Sequence, residues 1–169
     1  MALIYETKNF TVESHEQPFV SRTDGGHLKI ITKHDIAERT ELNPTQATEL
    51  MRLTMLVGEA MAIAMNKRGI PVVKINYEDL GNWAFKKAYQ QAGAKPHLHI
   101  HLFGRAENAV KQPFPEAVYL PARESGFYDG FTPLDEEDIA TIRKEIDRLS
   151  QTTKYQIENW SKALATNKK

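Results

Sequence analysis

Seven residues in the middle of the chain, His97-Leu98-His99-Ile100-His101-Leu102-Phe103, alternate histidine with aliphatic side chains and run into Gly104-Arg105. A strand points successive side chains to opposite faces. An extended conformation therefore gathers His97, His99 and His101 on one face and Leu98, Ile100 and Leu102 on the other, the core face. A helix would scatter the three imidazoles around its barrel. The alternation predicts a half-buried strand. Imidazole nitrogens need hydrogen-bond partners once partly buried, so three on one face are not filler.

Two chemistries use such a row. Neutral imidazoles on one face hold zinc, with a water in an open position, as in a zinc-dependent hydrolase. Alternatively, a neutral histidine attacks phosphorus and becomes a covalent phospho-imidazole while its neighbours orient it and donate protons. An unperturbed pKa of about 6.5 leaves an unprotonated ring nitrogen available at neutral pH. Spacing alone leaves both open.

Composition removes several other classes. A chain of 169 residues makes one domain with a sizeable core, with room for an appendage. Lys plus Arg and Asp plus Glu are 22 each, so bulk electrostatics do not indicate a nucleic-acid partner. There is no cysteine, hence no disulfide and no thiolate metal site. The first ten residues contain Glu6 and no long apolar run, unlike a signal peptide. No stretch approaches the roughly 20 apolar residues of a membrane span. The expectation is a soluble cytoplasmic protein with no membrane partner.

Four further strands and one long helix surround the row. Residues 9–15 alternate, 18–22 read as a short strand opened by Pro18, and 27–33 follow the turn Thr23-Asp24-Gly25-Gly26. Residues 71–77 form another strand. Between them, Asn43 caps a helix with Pro44 at its first position and Gln46 completing a capping box. Leu50, Leu53, Thr54, Val57, Ala60, Met61 and Ala64 recur at helical spacing, and Lys67-Arg68-Gly69 suits the end. Met51, Met55, Met61 and Met65 suit core or subunit-interface packing. His15 and His34 read as surface residues near turns.

The histidine string resembles the H-φ-H-φ-H-φ-φ signature of the histidine triad (HIT) superfamily of nucleotide hydrolases and transferases, matching at all seven positions. Residues 26–33 resemble the G-H-x-φ-φ-φ-P-K stretch upstream of the triad, with Thr32 in place of its proline. The resemblance covers residues 9–105. It implies an α+β fold: a mostly antiparallel sheet with one long packing helix, here followed by a C-terminal helical extension. It implies hydrolysis or transfer at the α-phosphate of a nucleotide conjugate through a covalent nucleotidyl-histidine. Dinucleoside polyphosphates, nucleoside phosphoramidates and aminoacyl-adenylates all fit.

By position the resemblance makes His99 the nucleophile, His97 and His101 its supporting histidines, His27 the fourth histidine, and Asn76 the amide near the nucleophile. Asn82, Trp83, Lys95 and Arg105 are candidate substrate contacts, with Trp83 and Phe85 candidate walls of a base pocket. Asp24 and Glu13 are candidate ribose-binding acids. No resident metal or other cofactor is implied; magnesium would help only by neutralising a polyphosphate substrate. Many family members carry Ser or Thr about three residues before the first triad histidine, where this chain has Ala94, which has no side-chain donor. Lys95 is the neighbour able to substitute. A nucleotide-binding regulator with weak catalysis is the remaining reading from another class.

Residues 1–105 are read as the catalytic core and 106–169 as the extension. Residues 106–131 hold Pro113, Pro115, Pro121, Gly126 and Gly130, so no long regular element is expected. Their aromatics, with Arg123, are expected to fold back towards an active-site mouth, of their own or a partner subunit, and shape substrate choice, or else to cover apolar surface of their own sheet. Thr132 reads as the N-cap of a helix striped with Ile139, Ile142, Ile146 and Leu149, and a short last helix is expected over 155–164. The acids Asp135 to Asp138 suit a helix dipole rather than a chelate. The resemblance also implies a homodimer through the long helix and sheet edge, with Leu53, Val57 and Met61 supplying an apolar patch.

Overall fold

Five strands form one antiparallel sheet in the order β1-β2-β3-β5-β4. They are β1 (Leu3–Glu6), β2 (Phe10–Ser14), β3 (His27–Thr32), β4 (Val72–Asp79) and β5 (His99–Ala106). Helices α1 (Pro44–Lys67), α2 (Lys87–Gln91) and α3 (Glu136–Ser150) complete the α+β architecture. The computed structural model describes residues 1–160. Among these, no helix is long and apolar enough to cross a membrane. The expected last helix begins late, with a helical turn at 157–160; its remainder lies outside the described residues.

The register puts one face of the sheet against α1. Leu28 stands opposite Leu102, Ile30 opposite Ile100, and Val12 opposite Ile30. These side chains bury against Leu53, Leu56, Val57, Ala60, Met61 and Ala64 of α1. Each such burial is worth about 1.5–3 kcal/mol. Asn43 accepts the Gln46 N–H at 3.0 Å and Gln46 Oε1 accepts the Asn43 N–H at 3.1 Å, the capping box its spacing foretells. A Cβ on Gly58 would collide with the Tyr77 hydroxyl, so α1 approaches β4 where it has no side chain.

Three expectations are corrected here, and one strand was not foreseen. Leu53, Val57 and Met61 are each 0% exposed and pack inside their own subunit, so they supply no interface patch. Residues 18–22 are not a strand, because the Phe19 N–H is donated to the His27 ring and the Arg22 N–H to the Thr132 carbonyl instead of to a ladder. The helix start is Asp135, not Thr132: Asp135 and Asp138 form the capping box, while Thr132 pairs with Ser21. Edge strand β1 has no counterpart in the sequence reading, since Leu3-Ile4-Tyr5 is apolar without alternation.

Helix α3 shares the main core. Ile139, Ile142, Ile146, Leu149 and Tyr155 belong to the same buried cluster as α1 and the sheet. Fully buried Asp138 accepts from Arg22 Nε at 2.5 Å and Arg68 Nε at 3.1 Å. Burial opposes its ionisation, but hydrogen bonds from Arg22, the Asp135 backbone and Arg68 hold its carboxyl below the ordinary value.

Candidate active site

The face of the sheet turned away from α1 carries the histidines. Directly opposed residues of an antiparallel pair share a face. Opposite His101 stand Lys29 on β3 and Glu78 on β4; opposite Phe103 stand His27 and Asn76. His99 and His101 lie within β5, while His97 lies just before it and is exposed. Strand β5 is fixed where it leaves the site by Gly104, whose backbone meets Gly25 so closely that a Cβ on either would strike the other.

The hydrogen bonds define the tautomers. The Phe19 backbone N–H donates to His27 Nδ1 at 3.2 Å, so His27 carries its proton on Nε2. That Nε2–H donates to His101 Nδ1 at 2.7 Å. His101 therefore carries its own proton on Nε2, directed to the open face. His99 Nδ1–H donates to the His97 carbonyl at 2.7 Å, which leaves His99 Nε2 with a free lone pair. His97 Nε2–H donates to the Thr32 carbonyl at 2.9 Å.

Burial keeps the rings of His27 and His101 neutral. It pushes His101 down to about 2, with help from the charges on His99 and Lys29, and holds His27 well below the usual histidine value. Burial also lowers His99, against the His97 carbonyl, which favours a charged ring. His15, expected on the surface, stacks on His27 at 4.8 Å between centroids and is lowered to about 4, chiefly by burial.

A cleft of about 600 Å³ opens over His99 and His101. One wall is Gly81, Asn82, Trp83 and Tyr89; the other is His15, Phe19, residues 120–124 and Tyr128, with Lys29 also lining it. The extension thus reaches the mouth of its own subunit's cleft. A second cavity of about 350 Å³ shares His99 and Asn82 and is lined by Lys95, His97, Phe85 and the Arg39–Asp79 ion pair. Trp83 and Tyr89 meet edge to face at 5.6 Å, and Lys86 Nζ sits 4.4 Å over the Trp83 ring.

Two candidate substrate contacts are corrected. Asp24 is buried, and its carboxylate accepts the backbone N–H groups of Val110, Lys111 and Gln112. Arg105 is buried too, and its Nη2 donates to the carbonyls of Gln112, Pro113 and Glu116. Both hold the extension and neither lines the cleft. Glu13 accepts from Thr11 and stands opposite Lys29, outside the cleft lining. Asn76 shares the histidine face but faces Phe103, two residues beyond His101, whereas Asn82 borders His99 in both cavities. His34 Nε2–H donates to Asn9 Oδ1 at 2.8 Å and has no place in the cleft. Lys29 and Phe19 had no place among the expected site residues. The two-residue step from His27 was the signal for Lys29; nothing local marked Phe19.

This sheet, with its histidine row and upstream partner histidine, is that of a nucleotide-binding class that includes hydrolases and transferases. The chain belongs to the HIT family, whose domain model matches residues 1–108. Among solved structures it is similar to a hypothetical histidine triad nucleotide-binding protein from Sulfolobus tokodaii, at 17% identity and TM-score 0.58 over 91% of this chain and 89% of that one. A histidine triad (HIT) protein from Sinorhizobium meliloti matches at 21% identity and TM-score 0.55 over 86% and 87%. A zinc-bound histidine triad family protein from Mycobacterium smegmatis matches at 18% identity and TM-score 0.53 over 88% and 85%. These likenesses concern the fold. No curated protein matches the chain.

Proposed function

We propose that the chain hydrolyses or transfers the nucleotidyl group of a nucleotide conjugate through a nucleotidyl-histidine on His99. The observation that supports this most is the pair of tautomers: a free lone pair on His99 Nε2 beside a proton on His101 Nε2. His99 Nε2 forms the bond to the α-phosphorus as the bond to the leaving group breaks. The His97 carbonyl stabilises the charge that develops on the ring, and His101 Nε2–H donates to a phosphoryl oxygen. Water or another acceptor then releases the nucleotide. Lys95, beside His97 and His99, serves the leaving group where Ala94 cannot. Trp83 and Tyr89 offer the base an aromatic surface.

In this scheme no resident metal is needed, and magnesium acts only on a polyphosphate substrate. The protein works in the cytoplasm as a homodimer joined through α1 and edge strand β4, where exposed Met51 and Tyr77 border an apolar groove. The rival reading, a zinc site on the same row, draws on the zinc-bound Mycobacterium smegmatis protein. Against it, His27 and His101 direct nitrogens at each other across a hydrogen bond rather than at a shared ion.

The test is His99→Ala assayed on a panel of adenosine conjugates. Turnover should fall by more than about 1,000-fold with the fold intact. Quenched wild-type reactions should contain acid-labile nucleotide on the protein, formed also after chelation. Near wild-type turnover in the variant overturns the mechanism; activity lost with stoichiometric zinc and restored by its return favours the rival.

A further inference from the structure

We infer that the cleft contains a second anion subsite, formed by Lys29 of β3 and Arg123 of the extension, which takes a phosphate of the substrate other than the one His99 attacks. The inference rests on the nucleotidyl-transfer reading and narrows its substrate to conjugates with at least two anionic phosphorus centres.

The two cations line the same cleft as His99 and His101. The Lys29 amine is half-buried, and burial lowers its affinity for a proton; the Glu13 carboxylate works against this and the Arg123 charge adds to it. Arg123 is held in place: its Nη2 donates to the Gln17 carbonyl at 2.7 Å, and its guanidinium lies 4.3 Å over the Phe19 ring and 5.3 Å from that of Tyr128. Several of the chain's other cations are paired with acids. Arg22 and Arg68 share Asp138, Lys67 and Arg148 share Glu145, and Lys154 meets Glu59. Lys29 and Arg123 have no such partner among the described residues. Glu13 faces Lys29 across the ladder but is bonded to Thr11, and Glu124 on the cleft rim makes no ion pair with either. Two like charges lining one cleft, the Lys29 amine half-buried and Arg123 exposed, repel unless an anion enters between them.

Position separates this subsite from the reacting phosphorus. His99 stands opposite Ile31, two residues along from the Lys29–His101 pair. Two residues along the strand and one strand across place the Lys29 backbone roughly 8 Å from that of His99. His101, between them, serves the transferred phosphoryl group, and the cations reach the next anion. That anion belongs either to a polyphosphate leaving group or to a phosphate on the ribose.

The experiment compares three adenosine 5′-phosphate esters. One has an uncharged leaving group, one a leaving group with further phosphates, and one an uncharged leaving group plus a ribose 3′-phosphate. In Lys29→Met and Arg123→Met, KM for a two-phosphate substrate should rise about tenfold per cation, against less than about threefold for the single-phosphate ester. Which two-phosphate ester responds identifies the source of the anion. Separately, pyrophosphate titrated calorimetrically into His99→Ala should bind, and the added double substitution should abolish that binding. Equal KM changes on all three esters, or pyrophosphate binding indifferent to the double substitution, overturns the subsite. Binding that depends on both cations, in a protein that turns over no ester, upholds the subsite while the catalytic reading fails.

Discussion

The carboxylate of Asp24 accepts the backbone N–H of Gln112 at 2.7 Å, joining the turn before the fourth histidine to a loop 88 residues later. Gln112 continues the connection, donating from Nε2 to the carbonyls of Phe19 and Tyr119. The wall that the extension contributes to the cleft therefore hangs on buried polar groups. Asp24→Ala leaves three backbone donors without their acceptor. The expected cost is about 3 kcal/mol of stability by urea denaturation. Substrate KM should rise as residues 120–124 loosen. A variant with wild-type stability would show that these bonds are replaced by water at no cost.

The buried histidines make stability depend on pH. His27 and His101 bind protons more weakly in the folded chain than in the unfolded one, where histidine titrates near 6.5. Between that value and about 2, the limit for His101, the unfolded state holds more protons. Stability is then full above about 6.5 and falls as pH drops, by up to about 1.4 kcal/mol per unit per histidine. Urea midpoints at pH 7.5, 6 and 5 should decline in that order, and His101→Gln should flatten the decline. Equal midpoints across the series would contradict the buried neutral pair.

Removal of everything after Ala106 should not leave a folded core, although the family match ends at residue 108. Ile139, Ile142, Ile146, Leu149 and Tyr155 are part of the main cluster. Exposing their site on α1 and the sheet forfeits roughly 10 kcal/mol at about 2 each, comparable with the whole net stability of a domain. Circular dichroism and solubility of the truncated chain are the readout. A soluble truncated chain with a cooperative melt would show that the extension is dispensable.

The proposed homodimer makes a separate prediction. Met51 is 55% and Tyr77 47% exposed, and both border the groove between α1 and β4. Light scattering should give twice the chain mass, and Met51→Glu with Met55→Glu should halve it, since apolar contact supports such interfaces. A wild-type chain that is monomeric at high concentration removes the dimer.

Legibility followed distance along the chain. The histidine row, the Asn43 cap and the α1 stripe could be read because one short repeat carries each. His99, His101 and His27 meet as the resemblance implied, because strand register converts spacing into contact. The reading failed where a side chain answers a distant segment. Asp24 and Arg105 look like ligand contacts in sequence, yet their partners are backbone groups of residues 110–116. Leu53, Val57 and Met61 mark an apolar face, but periodicity does not say whether a sheet or a second subunit covers it. Asp138 reads as a helix-dipole acid because Arg22, its partner, lies 116 residues away.

The contact of Gly25 with Gly104 has a consequence for every rung of β5. Sliding that strand by one residue would turn His99 and His101 into the hydrocarbon interior and Ile100 and Leu102 into water. The two glycines act as a stop against such slippage: only bare backbone fits at their crossing, and the His97 ring, bonded to Thr32, anchors the other end. An alanine at either glycine would thus disturb the alignment of His99 and His101 from a position outside the cleft lining. Tolerance to mutation in this chain is set by steric clearance at that crossing as much as by chemistry at the imidazoles.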